Sequence, residues 1–198
     1  MVAFNTKSFS QFNFDDHLFK GSVLMPSAGS VLTYEVNYYG DIYNFIVHIK
    51  KFGDDGIEFD YSMNNETNIS GSMKIVKDAF ESSKTQYNYF SGGPLTLTDQ
   101  TSVWLSKKVF AELISESGKS TISSDGGSTE TEIQNIGAFH DFELYNTTSN
   151  TTFNDVSYLY ATNEDESEKY WINFSKYNPL ILGMDLGWTI WLKQMGKK

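Results

Sequence analysis

Tyr170-Trp171-Ile172-Asn173-Phe174, Asn178-Pro179-Leu180-Ile181-Leu182-Gly183-Met184-Asp185-Leu186 and Gly187-Trp188-Thr189-Ile190-Trp191-Leu192 are three apolar runs parted by turn residues. Alternation, aromatic and β-branched side chains, and Gly/Pro punctuation all point to three strands. The chain therefore closes on a β-meander, and its core is built on sheet rather than on a helix bundle. This reading puts Trp171, Trp188 and Trp191 near the final edge of one curved sheet.

A second meander opens the chain. Val31–Tyr39 alternates Leu32, Tyr34, Val36 and Tyr38 against Thr33, Glu35 and Asn37. A turn at Gly40-Asp41 leads into Ile42–Lys51, with Tyr43, Phe45, Val47 and Ile49 inward. Ile57, Phe59, Tyr61 and Met63 follow, then Ile69, Gly71, Met73 and Ile75. Period-2 alternation with short turns predicts antiparallel strands with one wet face.

Between the meanders the pattern shifts. Lys77 to about Gln86 has helical composition, and Ser106 is a fitting N-cap for a helix over Lys107–Ser115 that buries Val109, Phe110, Leu113 and Ile114. Leu95–Thr98 and Lys119–Ser123 read as short strands. Residues 115–131, rich in Ser, Gly, Thr and Glu, read as a flexible loop. Gly137–Asn146 and Phe153–Thr162 resume alternation. Residues 1–29 read as an irregular aromatic arm.

The sum is one domain over 1–198, mainly β (α+β), with about ten strands and one or two short helices. A twisted antiparallel sheet of that size curls or closes, so a half-barrel or barrel-like sheet wrapped around the helices is expected.

Composition excludes several function classes. The 198 residues carry a net charge of −10, and all 15 cations are lysines. A polyanion needs a cationic footprint, and the bidentate guanidinium fork is absent, so nucleic acid is not an expected partner. Without cysteine there is no disulfide, thiol nucleophile or cysteine-held metal. No run reaches the roughly 18 apolar residues of a membrane helix, and no export signal is visible. A cytoplasmic location is the default expectation, with the periplasm as the alternative had a signal been removed.

Catalytic signals are weak. His17, His48 and His140 stand apart in sequence. Asp15-Asp16-His17 invites a metal, but lacks a helical-spacing partner. His140, sharing a strand face with Phe142 and Leu144, reads as a core or cavity-wall histidine, and more remotely as a general base among acids. The 25 acids make any carboxylate pair unspecific. The acidic turn at 163–168 lacks calcium-loop spacing, and no nucleophile elbow, P-loop or dinucleotide fingerprint occurs. The expectation is a non-enzymatic chain with no catalytic residues, metal or cofactor.

What remains is apolar surface. A concave face carrying Tyr34, Tyr43, Phe45, Phe59, Tyr61, Met73 and Trp188 must be covered by helices or filled by a ligand. A small apolar or lipid-like ligand is the leading expectation. The alternatives are an interaction domain with a packed core, homo-oligomeric through an edge strand or exposed aromatics, and a hydrolase around His140.

The closing segment, Trp171 with Asn178–Asp185 and then Gly187–Leu192, resembles the final strands of bacterial half-barrel proteins, the lipoprotein-carrier-like superfamily and its uncharacterised relatives. The resemblance covers about 25 residues closely and the remainder as strand order. It implies a curved sheet around short helices, and in carrier members an acyl chain in the concavity. It implies no particular site residue here.

Overall fold

The computed structural model describes residues 21–64 and 68–197. Most of the aromatic arm, and His17 with it, lies outside the described residues.

Eleven strands form one sheet: β1 (Ser30–Tyr38), β2 (Asp41–Gly53), β3 (Gly56–Met63), β4 (Ser70–Val76), β5 (Gly93–Leu97), β6 (Lys119–Ile122), β7 (Thr131–Asn146), β8 (Thr151–Thr162), β9 (Lys169–Asn173), β10 (Ile181–Asp185) and β11 (Thr189–Lys197). Two short helices, α1 (Lys77–Ser82) and α2 (Lys107–Leu113), interrupt them. The spatial order is β5-β4-β3-β2-β1-β11-β10-β9-β8-β7-β6. The mainly β fold and the three closing strands are as the sequence predicts.

The closing meander is not an edge, however. β11 pairs antiparallel with β1 from Ser30↔Lys197 to Asn37↔Thr189, so the two meanders are welded through the first and last strands at the middle of the sheet. Trp191 therefore lies centrally. The edges fall on β5, which carries Pro94, and on β6, four residues long. Both are poor templates for edge-to-edge pairing.

Two pairings are parallel, so the sheet is mixed. β5 joins β4 in parallel (Gly71↔Gly93 to Ile75↔Leu97), because α1 and residues 83–92 supply the crossover that a parallel pair requires. The second parallel contact closes a ring. The register of β7 against β8 slips between Asn135 and Gly137 and again between Phe139 and Leu144. Such bulges bend a strand, and the bent tip of this hairpin reaches β11, where Tyr145 and Asn146 pair with Gln194 and Met195. The strands β11, β10, β9, β8 and β7 thus form a closed circuit, while β1–β5 remain an open, curved wing.

β9 covers only the Tyr158–Thr162 half of β8. Beside the other half lies the segment entering β1: Ser22 N donates to Asp155 O (2.8 Å) and Ser157 N donates to Ser22 O (2.8 Å). Two fully buried asparagines hold the next turn of chain. Asn173 Oδ1 accepts from Leu24 N (3.0 Å), and its Nδ2 donates to Leu24 O (3.0 Å) and to Asn178 O (2.8 Å). Asn178 Nδ2 donates to Leu24 O (3.0 Å), and its Oδ1 accepts from Trp104 Nε1 (2.7 Å). Asn178-Pro179-Leu180 is consequently a buried connection, and β10 starts only at Ile181.

The inward faces follow the alternation. Leu32, Tyr34, Val36, Phe45, Val47, Ile49, Ile57, Phe59, Tyr61, Met63, Met73 and Ile75 are all buried. Tyr38 departs from the pattern and is half exposed, because it precedes the hairpin tip. That tip is Tyr39-Gly40 rather than Gly40-Asp41: Tyr38 pairs with Asp41, with φ of +52° at Tyr39 and +96° at Gly40. Positive φ at both central residues gives a type I′ turn, whose twist matches the strands.

The helices cover the lower end of the wing. Ser106 caps α2 as predicted, its Oγ accepting from Val109 N (3.2 Å). α1 stops at Ser82, short of Gln86, because Thr85 and Gln86 leave the helix to bridge Ser123 and Thr101. Lys119–Ile122 pairs with β7 as β6, so the short strand read at Lys119–Ser123 forms inside a segment otherwise read as a loop. Trp104, fully buried, fills the centre, with ring centroids 6.0 Å from Phe52 and 5.7 Å from Phe59.

Candidate functional site

The helices and Trp104 fill only part of the concavity. At the other end, beneath the β1–β2 and β10–β11 tips, a cleft of about 660 Å³ remains. That volume lies in the usual range for small-molecule sites.

Its floor is sheet. Tyr34 and Val36 on β1, Phe45 on β2, Met184 on β10 and Ile190 on β11 point inward by strand alternation, and Ile181 joins them across a register irregularity between Ile181 and Gly183. Burial pushes the Tyr34 phenol far above its usual pKa, and its hydroxyl donates to Ile181 O (2.9 Å). Tyr34 is therefore a neutral wall with its polar tip already used.

The cover comes from Asn88–Ser91 and from Ser124-Asp125, with Val103 behind them. These stretches have little regular structure of their own and are tied down by hydrogen bonds. Gln86 N donates to Ser123 O and Tyr87 N to Thr101 O, both at 2.7 Å. The Gln86 amide donates to Thr101 Oγ1 (2.7 Å) and Trp104 O (2.9 Å), and Asn88 Nδ2 donates to Ser124 O (2.9 Å). Phe90 drops its ring onto Phe45, 4.4 Å between centroids. Val103 holds a φ of +65°, a conformation that a β-branched residue adopts only when its surroundings impose it. Its carbonyl is pinned by Ile181 N (2.9 Å).

The mouth is aromatic and acidic. Tyr38, Tyr39, Tyr43, Leu186 and Trp188 surround it, with Asp41 among them. Tyr38 and Tyr39 meet edge to face at 4.8 Å, and Tyr38 lies 6.4 Å from Trp188. Partial burial, then the charge of Asp41 and the neighbouring Tyr38, raise the Tyr43 pKa.

Of the residues expected to face a ligand, Tyr34, Tyr43, Phe45 and Trp188 line this cleft. Phe59, Tyr61 and Met73 do not. Phe59 packs on Trp104, Met73 is buried in the core, and Tyr61 meets Phe90 edge to face at 5.0 Å while accepting from Gly92 N (3.0 Å). They share the inward face, but Trp104 sits on Phe59 and the crossing segment, through Phe90, on Tyr61. Sequence reasoning missed Asp41, Asn88–Ser91, Val103 and Ser124-Asp125. The tip and the Ser91-Gly92-Gly93-Pro94 stretch show only turn chemistry, which marks a loop without saying where the loop lies.

His140 is a correction. It is exposed on the bulged part of β7 and does not line the cleft. The register slips there break the alternation that would have placed it with Phe142 and Leu144. His48 lies on β2, one residue from inward-facing Val47 and Ile49, and so on the opposite face. Among the described residues no group of His, Asp and Glu is arranged to hold a metal ion. The 163–168 turn satisfies itself, Asp165 Oδ1 accepting from Ser167 N (3.1 Å) and Oγ (2.7 Å). No helix among the described residues is long and apolar enough to cross a membrane.

No family model, no curated protein and no solved structure matches this chain.

Proposed function

We propose that this protein is a binding module that holds a small, largely apolar ligand in the cleft between the concave face and the Asn88–Ser91 crossing. The observation that carries this reading is an open cavity of about 660 Å³ in a fold that buries the rest of its concave face. Its floor is Phe45, Val36, Ile181, Met184 and Ile190, with Phe90 packed on Phe45 as part of the cover. Apolar walls with a few fixed polar groups are the usual make-up of a ligand site. The likeness of the closing strands to carrier-like half-barrels points the same way.

The test uses a neutral fluorescent probe, N-phenyl-1-naphthylamine, with the purified full chain. Enhanced emission, displaced by decanol, is expected. Ser91 is exposed on the cleft rim, so Ser91→Trp occludes the cleft without entering the core and abolishes the enhancement. Equal enhancement in Ser91→Trp, with an unchanged circular dichroism spectrum, removes the cleft as the site.

A further inference from the structure

The charges around the cleft are one-sided. Asp41 and Asp125 both line it, and among the described residues no lysine or histidine does. This is more than the average acidity of the chain, because lysines sit close to carboxylates elsewhere: Lys50 on Asp60 (2.7 Å), Lys107 on Glu81 (2.6 Å) and Lys119 on Glu132 (2.6 Å). Neither cleft carboxylate has such a partner among the described residues.

Asp125 is held in place as an anion. Its Oδ1 accepts from Ser123 Oγ (2.8 Å), Ser128 N (2.9 Å) and Thr129 N (3.0 Å), and the Thr129 side chain is a further donor to the carboxylate. Asp41 stands at the mouth beside Tyr38, Tyr39, Tyr43 and Trp188. Aromatic ring faces carry negative potential, so these rings and the carboxylate favour the same charge. Tyr39 occupies a position that Asn or Gly fills with less strain, at φ +52°, and the turn thereby keeps a ring at the mouth.

We propose that the ligand of this cleft is an amphiphilic cation, with an apolar body lying over Phe45, Val36 and Met184 and an ammonium group at the mouth between Asp41 and the Tyr38, Tyr39 and Trp188 rings. This rests on the binding reading above and names its ligand class. A fatty acid presents the wrong charge. Its carboxylate would be desolvated next to Asp41 and Asp125 with no cation among the described residues to meet it, which is costly. An ammonium gains both the carboxylate attraction and the ring-face attraction.

The test is calorimetric titration of the full chain at about 0.15 M ionic strength with decyltrimethylammonium, decanol and decanoate, each below its micelle concentration. The expected order places the cation about tenfold tighter than the alcohol, with decanoate weakest. Asp41→Asn lowers the preference for the cation over the alcohol about fivefold. Asp54→Asn, on the β2–β3 turn at the opposite end of β2, leaves it unchanged. Equal affinities for cation and alcohol overturn the charge assignment while leaving the cleft as an apolar site. Equal losses in Asp41→Asn and Asp54→Asn overturn it too, since net charge alone then explains the preference. Binding of none of the three probes overturns the binding reading itself, and the ligand class with it.

Discussion

Asn173→Ala removes the side chain that fastens Leu24 to the closing meander. Three hydrogen bonds go with it: from Leu24 N (3.0 Å), to Leu24 O (3.0 Å) and to Asn178 O (2.8 Å), all at a residue with no solvent exposure. The two carbonyls keep other donors, Asn178 Nδ2 for Leu24 O and Leu180 N for Asn178 O. The Leu24 N–H keeps none among the described residues. A stranded buried donor costs roughly 1–3 kcal/mol and each lost neutral bond about 1 kcal/mol, so the expected loss is about 2–4 kcal/mol. For a chain of this length that corresponds to a fall in Tm of roughly 5–15 °C. Urea unfolding followed by tryptophan fluorescence measures it, with the m-value unchanged. Amide exchange at Leu24 accelerates by more than at β2, whose bonds are untouched. Asn173→Asp sharpens the reasoning, because it keeps the acceptor for Leu24 N but turns an oxygen onto two carbonyls. That carboxyl is held protonated, with a folded-state pKa above the unfolded value of about 3.9. The folded state then binds more protons than the unfolded one, so stability relative to the wild type falls as pH rises from about 4. A loss below about 1 kcal/mol in Asn173→Ala, or an Asn173→Asp deficit that shrinks toward neutral pH, refutes the clamp.

Three further outcomes follow from particular contacts. A Cβ at Gly183 would sit 2.5 Å from Trp191 Cε3 and 2.6 Å from its Cζ3, so Gly183→Ala costs about 1–3 kcal/mol by urea unfolding, and a neutral result contradicts that packing. Burial pushes the Glu112 carboxyl up, but hydrogen bonds from Lys84 and Ser120 and the charges of Lys84 and Lys108 outweigh it, leaving it below its ordinary 4.5. The stabilisation is therefore present above that pH and is lost as pH falls through the lowered value, so Glu112→Gln shows a smaller drop in stability between about pH 6 and pH 3 than the wild type does. Tyr39→Asn relieves the positive-φ strain of the β1–β2 tip, raising stability by about 1 kcal/mol while weakening decyltrimethylammonium binding; tighter binding in this variant speaks against the mouth as the ammonium site.

Alternation was enough to read the inward face. Leu32, Tyr34, Phe45, Val47, Phe59 and Ile75 are where period 2 puts them, because a strand one residue out of register would turn that whole set to water. The N-cap at Ser106 was legible for a similar reason, since it is a local bond between residues three apart. The cleft was legible only in part. Tyr34, Tyr43, Phe45 and Trp188 line it, while Tyr61 lies under Phe90 and Phe59 under Trp104, which arrive from 29 and 45 residues along the chain, and Met73 is buried in the core. Side-chain periodicity reports which face a residue takes, and it carries no information about what is later laid across that face.

The local physics of the chain settled its strand content, its inward faces, its α2 cap and the acidic, arginine-free surface, since each depends on residues within a few positions of one another or on composition alone. Tertiary structure decided the rest. It joined the first strand to the last, bent the β7–β8 hairpin back onto β11, and recruited Asn173 and Asn178 to hold Leu24. It also brought Asp41, Phe90 and Asp125 around one cavity. Those outcomes depend on pairings between segments far apart in sequence, whose selection lies in the shared burial and hydrogen bonding of the assembled sheet rather than in any one stretch of it.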